Sequence, residues 1–274
     1  MKHGDFTTLA DDYARYRPAY APSVLRAFVS LAEERERESE REREREHSAA
    51  LICADVGAGT GIWSRQLAEQ SVRVLAVEPN DAMRGAGEKR NEGLDITWRK
   101  GSAESTGLPD ASCDMVCMAS AFHWTDFDAA VAEFHRVLKP GGLFMALWNP
   151  RRFEVNPLLA GIEDFLHGLV PELKRVSSGR SEFCNGLTDR LLRCGRFADV
   201  LYLEGRHTEL QSPERYIGLW RSVNDVRVQA GEERFARFID HIRDVTKDIP
   251  VIEAEYLTRA WIARTKTAPF PLRE

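Results

Sequence analysis

The chain has 274 residues, and 43% of them are hydrophobic, which is enough for a sizeable buried core and excludes disorder of the whole chain. Its 38 basic and 43 acidic residues leave a net charge of −5. The chain therefore lacks the basic excess with which nucleic-acid binders neutralise phosphates. We expect a small-molecule partner and no nucleic acid.

The amino terminus lacks the features of a signal peptide, and no apolar run reaches the roughly 18 residues that a membrane-spanning helix needs. We expect a cytoplasmic protein that does not enter a membrane. The five cysteines form no Cys-x-x-Cys pair, and Cys113 and Cys117 would lie about 13 Å apart in an extended strand. We therefore expect reduced thiols and no metal site. Nothing in the sequence indicates an oligomeric state.

The amino-terminal region is predicted to contain an arm and an amphipathic helix over 22–32, which together form a unit of residues 1–32. A charged run from Glu33 to Glu46, with eight Glu and five Arg, follows. Several of its Glu residues recur four positions apart and repel one another on a helix. We expect a frayed helix or a mobile linker over 33–48 and not a binding element.

Strand-like and helix-like segments alternate from Ala49 onward. The predicted strands are LICADV, RVLAVE, DITWRK, CDMVCMA and LFMALWN, and the predicted helices between them cover 60–70, 81–89 and 126–138. Such alternation is typical of a parallel sheet with helices on both faces. We expect a doubly wound α/β core over 49–150.

The chain after Pro150 has a different pattern. Helices are predicted over 156–170, 213–228 and 232–248, and strands at DVLYLEG and EYLTRAWIAR. The last strand alternates polar and apolar residues, as a strand at a sheet edge does. We expect residues 151–274 to supply an inserted helical region that covers the acceptor, and antiparallel strands that complete a mostly parallel, seven-stranded sheet.

A glycine-rich turn, Asp55-Val56-Gly57-Ala58-Gly59-Thr60-Gly61, joins the strand LICA to the next helix. Glycines at such a turn let a ligand approach the backbone closely. Glu78 ends the following strand, where a carboxylate can accept hydrogen bonds from both hydroxyls of a ribose. The spacing G-x-G-x-G differs from the G-x-G-x-x-G of dinucleotide-binding proteins, which weighs against nicotinamide and flavin cofactors.

These segments resemble those of the class I S-adenosylmethionine-dependent methyltransferases, and the resemblance extends from Phe6 to about Asn149. The segments that carry it are DVGAGTG, AVEPN, Gly101-Ser102-Ala103-Glu104, Ala119-Ser120-Ala121-Phe122-His123-Trp124 and EFHRVLKPGG. The subgroup of trans-aconitate-type and other small-molecule methyltransferases, type 11 among them, is the most similar. Its members also have a segment like Tyr13-Ala14-Arg15-Tyr16-Arg17-Pro18 and the F-H-W after strand four.

The resemblance implies S-adenosylmethionine as the cofactor and methylation of an oxygen or carbon of a small molecule, with secondary metabolism as one setting. It places the methionine part at the glycine turn, the ribose at Glu78 and the adenine edge at Ala103 and Glu104. The residues expected at the cofactor are Tyr13, Arg17, Asp55, Gly57, Ala58, Gly59, Gly61, Glu78, Pro79, Met83, Ser102, Ala103, Glu104, Ala119 and Phe122.

Methyl transfer from a sulfonium is an in-line displacement, so a protein contributes mainly alignment and exclusion of water, and no nucleophilic side chain is needed. His123 follows strand four at the carboxyl edge of the sheet. It is the candidate base for an acceptor that must lose a proton, and a structural role is its alternative. The residues expected at the acceptor are Tyr16, Tyr20, Trp124, Trp148, Asn149 and Trp220.

Two other functions stay open at the level of sequence. The glycine turn would also suit an NAD(P)-dependent oxidoreductase, and the fold would also suit a catalytically silent cofactor-binding subunit. The segment 151–195 matches no motif, so the sequence does not identify the acceptor.

Overall fold

The computed structural model describes residues 7–43, 50–174 and 179–266. The strands are β1 (Ile52–Val56), β2 (Arg73–Val77), β3 (Ile96–Arg99), β4 (Cys113–Ala119), β5 (Leu138–Trp148), β6 (Phe197–Gln211) and β7 (Ile252–Thr265). The helices are α1 (Ala10–Tyr16), α2 (Pro22–Arg43), α3 (Ile62–Ala68), α4 (Asp81–Arg90), α5 (Phe127–Val137), α6 (Pro157–Leu169), α7 (Glu182–Asn185), α8 (Leu187–Arg193), α9 (Pro213–Arg221) and α10 (Asn224–Thr246). Within these ranges no helix is long and apolar enough to cross a membrane.

The strands form one seven-stranded sheet in the order β3-β2-β1-β4-β5-β7-β6. Strands β1 to β5 are parallel, and β7 is antiparallel to both of its neighbours. The predicted doubly wound, mostly parallel fold is confirmed. The predicted edge position of the last strand is wrong, because β7 lies between β5 and β6, and the edge strand on that side of the sheet is β6. Alternating polarity shows that one face of a strand is apolar and does not show which strands flank it.

Both faces of the sheet are covered by apolar side chains. On one face α5 and α8 pack over the sheet around Phe134 and Phe144, and on the other α2 and α3 pack around Phe28 and Trp63. The central strands are therefore buried on both sides, which explains why β1 and β4 are apolar in the sequence apart from one buried aspartate in each, Asp55 and Asp114. This packing fixes the carboxyl ends of the parallel strands relative to one another.

The helices after β5 have a core of their own. Leu166 of α6, Trp220 of α9 and Phe238 of α10 pack together with Tyr256 of β7. The predicted helix over 213–228 is divided, because α9 ends at Arg221 and α10 begins at Asn224. Apolar residues keep their helical spacing across this break, so periodicity alone does not reveal it. The break predicted near residue 230 is a kink within α10, where Gly231 has φ 73°.

The charged run continues α2. The predicted linker is helical from 33 to 43, and 44–48 lie outside the described residues. Opposite charges also recur four positions apart here, as in the pair of Arg37 and Glu33 (3.2 Å). Arg35 is only 7% exposed and donates from Nη2 to Oδ1 of Asp114 at 2.5 Å. The run is therefore anchored to β4 through Arg35.

Candidate cofactor and acceptor site

A cavity of about 580 Å³ opens where β1, β2, β4 and β5 end. The strand order reverses between β1 and β4, and open α/β sheets bind ligands in the crevice at such a reversal. The lining has two parts. We call the part around Gly57, Gly59, Glu78, Met83 and Ala103 the turn end. The part around Arg151, Phe153, Glu163, Leu219 and Asp225 is the helical end.

The glycine turn presents bare backbone to the cavity. Gly57, Gly59 and Gly61 have φ of 68°, 58° and 75°, in the left-handed region that favours glycine. A Cβ atom on Gly57 would lie 2.8 Å from Cβ of Ala121, so a side chain would also close the gap between the turn and the segment after β4. Gly57 and Gly59 line the cavity, as predicted for a ligand-approach site.

Asp55 lies behind this turn and outside the cavity lining. Its carboxyl is fully buried and accepts hydrogen bonds from Ser64 Oγ (2.5 Å) and Cys117 Sγ (3.6 Å). Burial raises the pKa of Asp55 to about 7, although the bonds from Ser64 and Cys117 lower it. The geometry favours a supporting role for Asp55, which links the end of β1 to the first turn of α3.

Gly61 and Ala58 also lie outside the lining. A Cβ on Gly61 would meet Nδ2 of Asn91 at 2.6 Å and the ring of Trp98 at 2.8 Å. The glycine at this position therefore allows α3 to pack closely against β3 and α4.

Glu78 lies at the end of β2 with its carboxylate against the glycine turn. Oε2 accepts from the Gly59 N–H at 2.8 Å, and Oε1 accepts from the Asn80 N–H at 2.8 Å. Burial raises the pKa of Glu78, and these two N–H groups lower it. Each carboxylate oxygen can accept more than one hydrogen bond. The side chain is thus fixed in orientation and retains acceptor capacity on the cavity side.

Most of the residues predicted at the cofactor line the cavity. These are Tyr13, Arg17, Gly57, Gly59, Glu78, Pro79, Met83, Ser102, Ala103, Glu104 and Ala119. Phe122 does not, because its fully buried ring packs against Phe127, Phe134 and Phe144 in the sheet core.

The amino-terminal arm is helical and fastened to the helical region. Arg17 donates from Nε to Ser222 Oγ and from Nη2 to the Ser222 carbonyl oxygen, both at 2.9 Å, and its guanidinium carbon lies 4.7 Å from the ring centre of Tyr13. Tyr16 lies outside the cavity lining, packed so closely on α9 that a Cβ at Gly218 would lie 2.5 Å from its ring. Arg17 and Tyr13 reach the cavity.

Two of the residues predicted at the acceptor, Trp124 and Asn149, line the cavity. The side chain of Asn149 is committed elsewhere, because Nδ2 donates to the Ala19 carbonyl oxygen (2.8 Å) and Oδ1 accepts from Thr258 Oγ1 (2.9 Å). Asn149 therefore ties the arm to β7. Trp124, at 44% exposed, is free to contact a ligand.

The other four predicted acceptor residues, Tyr16 and three more aromatic residues, lie outside the lining. Tyr20 is buried beneath the arm and shares a hydrogen bond with Ser120 Oγ at 3.0 Å. Trp148 and Trp220 are fully buried, and Trp220 packs edge-on against Phe238 in the helical core. These large aromatic side chains pack in the protein core. The sequence pattern does not distinguish that role from a position in a pocket wall.

His123 also lies outside the lining, next to the cavity wall. Its Nδ1 accepts a hydrogen bond from Nε1 of Trp148 at 3.2 Å. An indole nitrogen can only donate, so Nδ1 carries no proton and the neutral ring carries its proton on Nε2. Burial lowers the pKa of His123 to about 4, and the Asp225 carboxylate opposes this shift. The geometry favours the structural alternative for His123 over a general base.

We expect nuclear magnetic resonance to find His123 as the Nε2–H tautomer, neutral at pH 7 and titrating near pH 4. Long-range ¹⁵N–¹H correlation spectra recorded between pH 4 and pH 8 measure both properties, and a His123→Asn variant assigns the signals. A ring that is Nδ1-protonated, or that titrates near its ordinary pKa of about 6.5, would contradict the bond to Trp148.

Known proteins resemble this chain in sequence and in structure. Residues 54–146 match the family described as "Methyltransferase domain". The structure of a proposed type II methyltransferase from Anaeromyxobacter dehalogenans superposes with a TM-score of 0.68 at 25% identity, covering 92% of this chain and 100% of that one. This chain carries a methyltransferase domain over residues 54–146.

Curated relatives match a shorter part of this chain than the superposed structure does. An uncharacterised methyltransferase of Mycobacterium bovis is 33% identical over 150 residues, which are 53% of this chain and 52% of the relative. The chain thus spans about half the length of that relative. A ubiquinone/menaquinone biosynthesis C-methyltransferase of Rubrivivax gelatinosus is 38% identical over 94 residues, which are 34% of this chain and 37% of that protein.

A phosphoethanolamine N-methyltransferase of Haemonchus contortus, solved with S-adenosylhomocysteine, shares the fold. Its TM-score is 0.52 at 13% identity, covering 97% of this chain and 59% of that one. The family match of the methyltransferase domain ends at residue 146, so the helical end of the cavity lies beyond it.

Sequence reasoning missed most of the helical end. Arg151 and Phe153 follow β5, Glu163 comes from α6, Asp225 from α10 and Tyr256 from β7. The position of Arg151 just after a parallel strand was a usable signal, because ligands bind at the carboxyl ends of such strands. Glu163, Asp225 and Tyr256 come from elements far apart in the chain. In the described part of the methyltransferase domain, no three His, Cys, Asp or Glu side chains converge as a metal site would require.

Proposed function

We propose that this methyltransferase domain transfers a methyl group from S-adenosylmethionine to an oxygen or carbon of a small-molecule acceptor. The observation that carries the proposal is the continuity of the cavity: the glycine turn and Glu78 line one end, and Arg151, Phe153 and Leu219 line the other. Two small molecules bound at these ends would share one cavity. A shared cavity supports alignment of the two molecules.

The polar groups at the turn end suit the binding of S-adenosylmethionine. Glu78 offers two carboxylate oxygens whose orientation is fixed by the Gly59 and Asn80 N–H groups, which suits a ribose with two free hydroxyls. The backbone of Gly57 and Gly59 lines the cavity beside it, where the methionine part would bind. When bound, the cofactor supplies an electrophilic methyl group on a sulfonium.

The protein's own part in the reaction is binding and orientation. The neutral His123 ring already carries a proton on Nε2, and burial lowers its pKa to about 4. His123 therefore does not take a proton from the acceptor at neutral pH. An acceptor that is already an anion has no proton to lose and needs no base. We therefore propose that alignment in the cavity, and not proton abstraction by His123, accounts for most of the rate.

Glu78→Gln is expected to weaken binding of S-adenosylhomocysteine by about 10–100-fold, since a hydrogen bond to a charged group contributes roughly 1.5–3 kcal/mol. The amide retains the size of the carboxylate but accepts through one oxygen only. Isothermal titration calorimetry measures the affinity, and circular dichroism confirms the fold.

Glu88→Gln is the matched control. Glu88 lies on α4, and its carboxylate is 53% exposed and pairs with Arg84 (3.9 Å). The same chemical change there should leave the affinity unaltered. Wild-type affinity in a folded Glu78→Gln protein would contradict the ribose role of Glu78.

Methyl transfer itself is tested by incubating the protein with a cell extract and isotopically labelled S-adenosylmethionine. A product that gains one labelled methyl group by mass spectrometry, and that Glu78→Gln forms more slowly, supports the proposal. Binding of a nicotinamide dinucleotide in place of S-adenosylhomocysteine would support the oxidoreductase alternative. Binding of S-adenosylhomocysteine without any labelled product would support a silent cofactor-binding subunit.

A further inference from the structure

Strand β6 lies at one edge of the sheet and is its longest strand, with 15 residues. From Val200 to Gln211 it pairs with β7 without a break, and among the described residues no strand pairs with its other side, which we call the open edge. Proteins usually protect such an edge with a short strand, a bulge, a lysine or a proline. Here the bulge ends at Val200, and no lysine or proline follows it up to Gln211. The open edge is therefore available to another strand.

The backbone of β7 shows which residues of β6 face the open edge. Leu257 of β7 donates its N–H to the Pro150 carbonyl oxygen at 2.9 Å, on the side away from β6. Its partner in β6 is Arg206, so these two residues form a pair without backbone hydrogen bonds. The N–H and C=O groups of Arg206 point to the open edge instead. Because such pairs alternate along an antiparallel ladder, every even-numbered residue from Val200 to Leu210 does the same.

The side chains of these outward-facing residues complement a second copy of the same strand. In chain order the residues are Val200, Tyr202, Glu204, Arg206, Thr208 and Leu210. Antiparallel pairing about a twofold axis at Gly205 sets Glu204 of each copy opposite Arg206 of the other. It also sets the apolar Val200 opposite Leu210. Opposite charges and apolar side chains in such cross-strand pairs stabilise a sheet.

Neighbouring registers lose this complementarity. An axis at Glu204 would set two glutamates opposite each other, and an axis at Arg206 would set two arginines opposite each other, which destabilises the pairing. Gly205 lies midway between Val200 and Leu210, so an axis there gives every outward-facing residue a partner. Any shift of the axis leaves outward-facing residues at one end of the strand unpaired.

The side chains that this pairing would cover are exposed in the single chain. Leu210 is 63% exposed and Tyr202 is 42% exposed. Arg206 is also exposed, and no carboxylate among the described residues forms an ion pair with it. Glu204 pairs with Arg259 at 3.5 Å and remains 45% exposed, so its carboxylate can accept a second partner.

We propose that two copies of this chain associate through β6, in antiparallel register about a twofold axis at Gly205, and so join their sheets into one continuous sheet. The contact uses the same surface of both copies, so it closes with two chains. The proposal does not depend on the identity of the cofactor or of the acceptor.

Sedimentation velocity of the full chain at a series of protein concentrations measures this association. The wild type is expected to form a dimer, and Arg206→Glu should weaken it by about tenfold or more, because glutamates then face each other at both symmetric contacts. Arg234→Glu is the matched control. Arg234 is exposed on α10, and the same change of charge there should leave the association unchanged.

Thr208→Pro tests the pairing of the backbones. The N–H group of Thr208 faces the open edge, so a proline removes a hydrogen bond between the copies and none between β6 and β7. This variant should also weaken the dimer by about tenfold or more. Circular dichroism should show the fold of the wild type.

A mixture of two variants tests the register. Arg206→Glu alone sets glutamates opposite each other, and Glu204→Arg alone sets arginines opposite each other, but in a mixed dimer each glutamate faces an arginine. The mixture of the folded variants should therefore associate more tightly than either alone. A wild type that stays monomeric, a dimer that is insensitive to Arg206→Glu or to Thr208→Pro, or a mixture that associates no better than its components would overturn the proposal.

Discussion

Replacing Asp114 by alanine is expected to lower the free energy of unfolding by about 3–5 kcal/mol. Asp114 is 2% exposed in β4 and accepts hydrogen bonds from Arg35 Nη2 (2.5 Å), Lys139 Nζ (2.8 Å) and the Ile52 N–H (3.0 Å). Its removal would leave the Arg35 cation, itself 7% exposed, without this carboxylate. Urea unfolding followed by tryptophan fluorescence measures the loss.

Two further variants show whether the buried charge causes the loss. In Asp114→Ala with Arg35→Met the cation is absent too, so the double variant should be more stable than Asp114→Ala alone. Asp110→Ala removes a carboxylate that is 79% exposed and pairs with Arg136 (2.5 Å), and should cost at most about 1 kcal/mol. Equal stability of Asp114→Ala and Asp110→Ala would show that the buried ion pair contributes no more to stability than the exposed one.

The second large effect concerns Asp55 and depends on pH. Burial raises the pKa of this carboxyl in the folded chain from the ordinary 3.8 to about 7, so folding takes up a proton between these values. The contribution to stability is complete below pH of about 4 and is lost as the pH rises through about 7. Between pH 5 and pH 8 the wild type should therefore lose on the order of 3 kcal/mol that Asp55→Asn, which does not ionise, retains.

Urea unfolding of both proteins at pH 5 and pH 8 gives the difference directly, because other titrating groups affect both proteins alike. Asp95→Asn serves as the control, since the Asp95 carboxylate is 61% exposed on the surface beside Arg73. Its stability should change with pH in parallel with the wild type. Parallel curves for Asp55→Asn and the wild type would mean that Asp55 ionises normally in the folded chain.

The parallel half of the fold could be predicted because its signals are local. Strands β1 to β5 are short apolar runs separated by helical sequence, and each lies within a few residues of its predicted position. The order of β6 and β7 could not be predicted, because alternation in EYLTRAWIAR records burial of one face only. The contact of the charged run with β4 could not be predicted for a similar reason: Arg35 has the same local sequence as its neighbours, and only the tertiary fold brings it to Asp114.

The residues of the candidate site also fall into those that local sequence positions and those that only the tertiary fold positions. Glu78 and the glycines are positioned by the strand and turn that contain them, so their spacing in the sequence predicted their place in the cavity. Trp148 and Trp220 follow no such rule, and their rings proved to be part of the core. The surroundings of Arg151 depend on the tertiary fold, because the Tyr216 and Trp220 side chains that contact its guanidinium come more than sixty residues later in the chain.

The position of β7 affects when the sheet can be completed during synthesis of the chain. Strand β6 pairs with β7 alone, and β7 also covers the open side of β5. During synthesis β6 is complete at Gln211, and β7 is complete only at Thr265, which at about 5–20 residues per second is an interval of roughly 3–11 s. Throughout that time the sheet ends at β5, and β6 has no partner strand. The newly made chain therefore exposes two unpaired strand edges, the kind of surface on which aggregation begins and chaperones act, until its last strand inserts between them.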